Sequence, residues 1–317
     1  MINFSPVSFQ GNIQTKEKQK KNIKGGLTAV GANTLASLSS LPIGLLAMNR
    51  MTKISTGLSD DEIKLANDGA KKILEEITNL SQKGVKINNF TFGGINLTSM
   101  PNWLYETINP IYATAKGKNA AFVPHGSKKD LRRLKMLGIE ENSIIVNKNK
   151  LPLATFHEMG HAFNYNNSSF WKAIQKTRTP LMLLALLVSL IPAFTKDSKP
   201  QDGQELTKGE KFINGLRKAC PFLAGGMMLP MFAEELKATL RGNAWAKEVL
   251  NSDLAKKVAK GNVWGLVSYA GTIVAVGLTA FVTKKVKDRS DEKIAFKSQI
   301  NAMHEKNYKP TINAHQG

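Results

Sequence analysis

Four charge-free apolar runs, parted by amphipathic and polar stretches, organise the 317-residue chain. The first, residues 25–49, is long enough to cross a bilayer and follows a basic tail at 1–24. A cleaved signal peptide competes with a retained transmembrane helix here, and the length of the run favours the helix. Next comes a capping box, Ser59-Asp60-Asp61-Glu62. Apolar residues then recur at helical spacing from Ile63 to Leu80, and Gly84 ends the helix. Val85 to Thr98, broken by Gly93-Gly94, and Asn119 to Pro124 read as extended pieces. Ser127 to Leu137 reads as a short basic helix, and Asn142 to Asn147 as a strand.

The most hydrophobic run, Thr179 to Thr195, sits at the lower limit for a bilayer span. With Ala219 to Ala233 it forms an expected membrane hairpin over 180–233, the alternative being two helices buried in a soluble core. A helix over 234–261, a full-length transmembrane helix at 262–283 and a second basic tail at 284–317 complete the chain.

Between the strand and the hairpin, within a catalytic part spanning 50–179, His157, Glu158 and His161 spell His-Glu-x-x-His. On a helix, positions i and i+4 share a face, so both imidazoles can bind one ion. Glu158, next to the first histidine, then lies where a general base is needed for water activated by zinc. Pro152 suits the first helical turn, and Leu153, Phe156, Gly160 and Phe163 supply an apolar stripe for burial.

Catalytic zinc normally takes three protein ligands. Asp197, Asp202, Glu205 and Glu210 lie in a polar stretch that reads as a mobile loop, poor support for a ligand. Glu234 and Glu235 instead follow an apolar run and open a helical segment. Adjacent helix positions point about 100° apart, so one of the two is expected to face the metal. Arg241, His125 and Tyr165 are candidates for stabilising an oxyanion.

Charge and cysteine content narrow the partners. A net charge of +20 suits either nucleic acid or an anionic membrane surface. The basic residues form no aromatic-interleaved stripe and no nucleic-acid motif is present, so a lipid bilayer is the expected partner and nucleic acid is not. Cys220 is the single cysteine, which excludes an internal disulfide framework.

The order of these features, a His-Glu-x-x-His helix, a hydrophobic hairpin and then Glu-x-x-Ala, resembles the HtpX-type and CAAX-prenyl-endopeptidase family of integral membrane gluzincins. The likeness covers residues 119–241. It implies His157 and His161 as zinc ligands, Glu158 as general base, and Glu235, paired with Ala238, as third ligand. It also implies that Asn119-Ala-Ala-Phe is the edge strand ahead of the active helix, with one alanine more than the family carries. Thr239 stands where the family has an aspartate supporting a ligating histidine, and one span precedes the catalytic part where the family commonly has two. A site-two-protease likeness fits less well, because Asp202-Gly203 lies in a polar loop.

The expectation is therefore a mainly α protein with a small β-sheet, a zincin-like catalytic domain and membrane-inserted helices. It is expected to be a zinc metalloendopeptidase of the cell (inner) membrane acting on protein or peptide substrates, membrane proteins among them. The rival is a non-catalytic membrane protein that keeps a zinc-binding scaffold.

Overall fold

A computed structural model describes residues 23–38, 41–91, 99–102, 105, 109–126, 135, 138–200 and 205–307. The outer parts of both tails, the second half of the Val85–Thr98 piece and nearly all of the expected helix at 127–137 lie outside the described residues. Among the described residues the chain is mainly helical with one three-stranded sheet. It divides into two compact units, one made of Ser39–Met182 with Met228–Val274, the other of Met1–Leu38, Leu183–Met227 and Ala275–Gly317.

Helical residues 23–37 form α1. Then come α2 (Leu41–Thr56), α3 (Asp60–Lys72, continued by a π-helical turn at Ile73–Ile77), β1 (Lys86–Asn89), α4 (Pro110–Ala115), β2 (Ala120–Val123) and β3 (Ser143–Val146). The second half of the chain holds α5 (Ala154–Asn167), α6 (Ser169–Phe194), α7 (Lys208–Gly226), α8 (Leu229–Val249) and α9 (Ser252–Asn307).

In the Ser39–Met182/Met228–Val274 unit, α3 opens on the expected capping box. Ser59 Oγ accepts from the Glu62 N–H at 3.3 Å, and Glu62 Oε2 accepts from the Ser59 N–H at 3.0 Å. The β-branched run of β3 is buried at all four positions because it is the central strand. It pairs parallel with β1 and antiparallel with β2, which leaves β2 on an edge. Helix α5 lies against β2 and β3, and Phe156, Met159 and Ala162 join Ala70, Ile73, Ile144, Leu254 and Val258 in one buried cluster.

The opposite side of α5 meets α8 at very short range. A Cβ on Gly160 would stand 2.3 Å from the Ala238 carbonyl oxygen, and one on Gly242 would stand 2.5 Å from that of Phe156. Each helix thus offers a glycine where the other's backbone passes, and no side chain separates them.

The other unit is held by buried polar contacts. The Asn33 amide donates to Ser189 Oγ at 3.1 Å and Thr283 Oγ1 at 2.8 Å, joining α1, α6 and α9. Arg217, fully buried on α7, donates to the Pro192 carbonyl at 2.8 Å and to that of Thr195, and pairs with Asp288 at 2.5 Å. It therefore satisfies carbonyls that the end of α6 leaves open.

Among the described residues, three helical segments are long and apolar enough to cross a membrane: Ile23–Thr56, which takes in α1 and α2, Ser169–Phe194 and Ser252–His304. Along α6, Leu183, Leu184, Leu187 and Phe194 are all exposed. The second half of the expected hairpin is different. Residues 219–233 are split between the end of α7 and the start of α8, with the break at Met227 and Met228 ahead of Pro230. The helix expected over 234–261 is also two helices. Leu250 is extended, and the Asn251 side chain accepts from the Leu254 N–H at 2.9 Å, starting α9 afresh. Hydrophobicity does not record such breaks.

The crossing yields a prediction. Gly160→Ala and Gly242→Ala each destabilise the protein by about 1–3 kcal/mol, since backbone has to move. Gly261→Ala, where an added methyl meets nothing within 4 Å, is neutral or slightly stabilising. Thermal unfolding in detergent, followed by tryptophan fluorescence, reads the difference.

Candidate metal centre

Helical spacing puts His157 and His161 one turn apart on α5, with Nε2 atoms 2.9 Å apart. The α5–α8 crossing brings Glu235 in front of them. Its Oε2 is 3.1 Å from His157 Nε2 and 3.2 Å from His161 Nε2. Three donor atoms thus form a nearly equilateral triangle. Ligands of a tetrahedral zinc at about 2.0–2.1 Å are separated by roughly 3.3 Å, so the triangle has the dimensions of one face of such a site.

Neighbouring groups hold each ring from behind. His161 Nδ1 lies 2.9 Å from Glu234 Oε1, and His157 Nδ1 lies 3.1 Å from Thr239 Oγ1. Adjacent carboxylates therefore take different positions, Glu235 toward the Nε2 atoms and Glu234 toward an Nδ1, as the 100° helical step requires. Burial pushes the Glu234 carboxyl up, but His161, Arg178 and Asn164 outweigh it and hold it down at about 2. It is ionised at neutral pH and can only accept hydrogen bonds.

That fixes the tautomer of a neutral His161. Its proton sits on Nδ1 facing Glu234, so the Nε2 lone pair faces the Glu235 carboxylate. Two acceptors at 3.2 Å repel unless a proton or a metal ion lies between them. A proton on His157 Nε2 can serve both acceptors only as a shared hydrogen bond, whereas a metal ion satisfies all three donors together. The donor set of two imidazoles and a carboxylate, each with an outer partner, fits zinc.

Both acids are 0 % exposed, and such burial is costly without compensation. Glu234 Oε1 accepts from Asn164 Nδ2 at 3.0 Å and from Gln175 Nε2 at 2.7 Å. Arg178 reaches both acids, lying 3.6 Å from Glu234 Oε2 and in direct contact with Glu235 Oε1. Glu158 is buried beside the two histidines, with ligand atoms of all three within 4.8 Å of one another, and its Oε2 accepts from the Phe122 N–H of edge strand β2 at 2.7 Å. A cavity of about 360 Å³ opens over the group. His157, Glu158, His161, Gln175 and Arg178 line it together with β2, α2 and the Asn262–Tyr269 part of α9.

None of the three expected oxyanion candidates borders this cavity. Arg241 donates to Asn164 Oδ1 at 2.5 Å, and its guanidinium lies 4.5 Å from the Phe163 ring centroid. His125 is exposed beside Glu141, and the buried Tyr165 donates to the His125 carbonyl. Arg178 and Tyr269 are the cavity groups that sequence reasoning missed. Arg178 reads in sequence as a basic flank of an apolar run, and nothing local in sequence shows which face of α6 it occupies. Glu210 is not in a mobile loop but caps α7, accepting from the Thr207 N–H at 2.9 Å.

Burial, and then the neighbouring His161, depress His157 to about 4, so it is neutral at physiological pH. A group whose folded pKa is lowered contributes stability above its unfolded value and loses it as pH falls. The metal-free protein should thus lose thermal stability as pH drops from about 6.5 toward 4. His157→Gln should flatten that part of the profile.

Compared with protein-family models, with curated proteins and with solved structures, the chain matches none.

Proposed function

We propose that the protein is a membrane-embedded, zinc-dependent endopeptidase. The observation that carries this reading is the convergence of His157 Nε2, His161 Nε2 and Glu235 Oε2 within 2.9–3.2 Å, with Glu158 beside them on a cavity wall. His157, His161 and Glu235 would hold the ion. Zinc bound there supplies a water of lowered pKa and polarises a substrate carbonyl.

The protein's own groups do the rest. Glu158 takes a proton from the attacking water as it adds to the peptide carbonyl. The same carboxyl then gives that proton to the departing amine, so the C–N bond breaks and the products are a free acid and a free amine. The Phe122 N–H holds Glu158 at the cavity wall during both transfers. Thr239 and Glu234 keep the two rings turned so that their Nε2 atoms face inward.

The three long apolar helices support placement in the cell (inner) membrane. Substrates are proteins or peptides, membrane proteins among them. The cavity suits an extended segment better than a folded surface, because its walls are close-set helices and one strand edge.

Detergent-purified protein should carry about one zinc per chain and hydrolyse an unstructured protein such as casein until a chelator is added. Glu158→Gln should keep the zinc and lose about 10²–10⁴-fold in hydrolysis. Glu235→Ala should lose or greatly weaken the zinc. Full activity in Glu158→Gln would sink the mechanism. Tightly held zinc with no hydrolysis of any unfolded protein would favour a non-catalytic scaffold.

A further inference from the structure

Glu235 has two carboxylate oxygens with different partners. Oε2 faces the two Nε2 atoms, and Oε1 contacts Arg178 Nη2. A carboxylate free on both sides would swing to offer both oxygens to one ion and fill the position that water and substrate need. The guanidinium engages one of them. We propose that Arg178 is a positioning residue that restricts Glu235 to a single-oxygen contact with the metal and so keeps a coordination position open. This rests on the zinc-site reading above.

Three features carry the assignment. First, Arg178 comes from α6, a different element from either ligand helix, so its approach to Glu235 is independent of the α5–α8 crossing. Second, its neighbours fix its direction. Gln175, one turn earlier, donates to the His161 carbonyl at 3.0 Å and to Glu234 at 2.7 Å, which ties this face of α6 to the site. The Tyr269 ring lies 5.8 Å from the guanidinium carbon on another side. Third, the pattern is complete, because each donor is gripped at the atom it does not present. His157 is held by a hydroxyl, His161 by a carboxylate and Glu235 by a guanidinium. An imidazole needs its outer nitrogen satisfied to fix a tautomer. A carboxylate needs its outer oxygen occupied to fix its denticity.

The charge fits as well. Arg178 offsets one of two adjacent buried negative charges, yet it also repels a cation, so it opposes over-tight binding. A lysine would keep the charge but lose the planar fork.

The test uses the full-length protein in detergent with its metal replaced by Co²⁺, whose visible spectrum reports coordination number. The wild type should show the intense bands of four-coordinate cobalt. Arg178→Ala should still bind cobalt but lose most of that intensity, as expected of higher coordination, and hydrolysis should fall about 10–100-fold. Arg178→Lys should recover part of both, and Arg178→Gln serves if the alanine variant does not fold. A folded Arg178→Ala or Arg178→Gln protein with a spectrum superimposable on the wild type overturns the proposal. Failure of such a folded variant to bind cobalt overturns it too, since Arg178 would then build the ligand set rather than restrain it. No cobalt uptake by the wild type brings down the zinc-site reading itself, and this inference with it.

Discussion

Everything at the candidate centre depends on how closely two helix backbones can pass. Gly160 on α5 and Gly242 on α8 each sit where a methyl group would overlap the partner's carbonyl. Without them the axes would part by the thickness of at least one side chain. A histidine and a glutamate reaching across that larger gap could not bring Nε2 and Oε2 to 3.1 Å. The motif on α5 supplies candidate ligands at the right spacing along one helix, while the glycines supply the spacing between helices. Neither is sufficient alone.

This proximity has an electrostatic cost. Glu234 and Glu235 are adjacent and fully buried, and burying two carboxylates side by side is costly without compensating donors. The fold offsets this with donors from separate elements: Asn164 on α5, and Gln175 and Arg178 on α6. Asn164 is in turn fixed by Arg241, which donates to its oxygen and leaves its NH₂ free for Glu234. The arginine expected to meet a reacting oxyanion therefore works one layer further out. Its guanidinium rests on Phe163, a residue of the apolar stripe that buries α5.

What could be read from sequence was what is local in sequence. The capping box at Ser59 to Glu62, the β-branched run at Ser143 to Val146 and the i, i+4 histidines each declare themselves within a few residues. The expected third ligand narrows to two adjacent glutamates because only they combine acidity with a helical, apolar setting. Thr239, which the resemblance puts where a histidine-supporting aspartate stands in the family, lies 3.1 Å from His157 Nδ1. Arg178, Gln175 and Tyr269 were not legible, since their role depends on which face of α6 or α9 turns toward the cavity. Apolar runs also hid helix ends. Residues 219–233 contain a break that hydrophobicity passes over, and Asn251 interrupts what reads as one long helix because a side-chain cap competes with continuation.

The cavity over the candidate centre has both apolar and polar lining, and the two are unevenly distributed. On α2 the lining is Gly44, Ala47, Met48 and Met51, and on α9 it includes Gly265 and Ser268. Small residues on both helices keep the space open. Methionines adapt to varied apolar side chains. Polar side chains gather at His157, Glu158, His161, Gln175 and Arg178, and the rest of the lining adds Lys118, Asn119, Ser268, Tyr269 and Asn262, whose amide donates to Asn243 at 2.7 Å. Among the described residues the Ala120 to Val123 strand pairs only with β3, so its other edge is open beside the cavity. Under the proposed reading, an extended peptide would add its backbone along that edge, and the site would then select for extended chain more than for any one side chain.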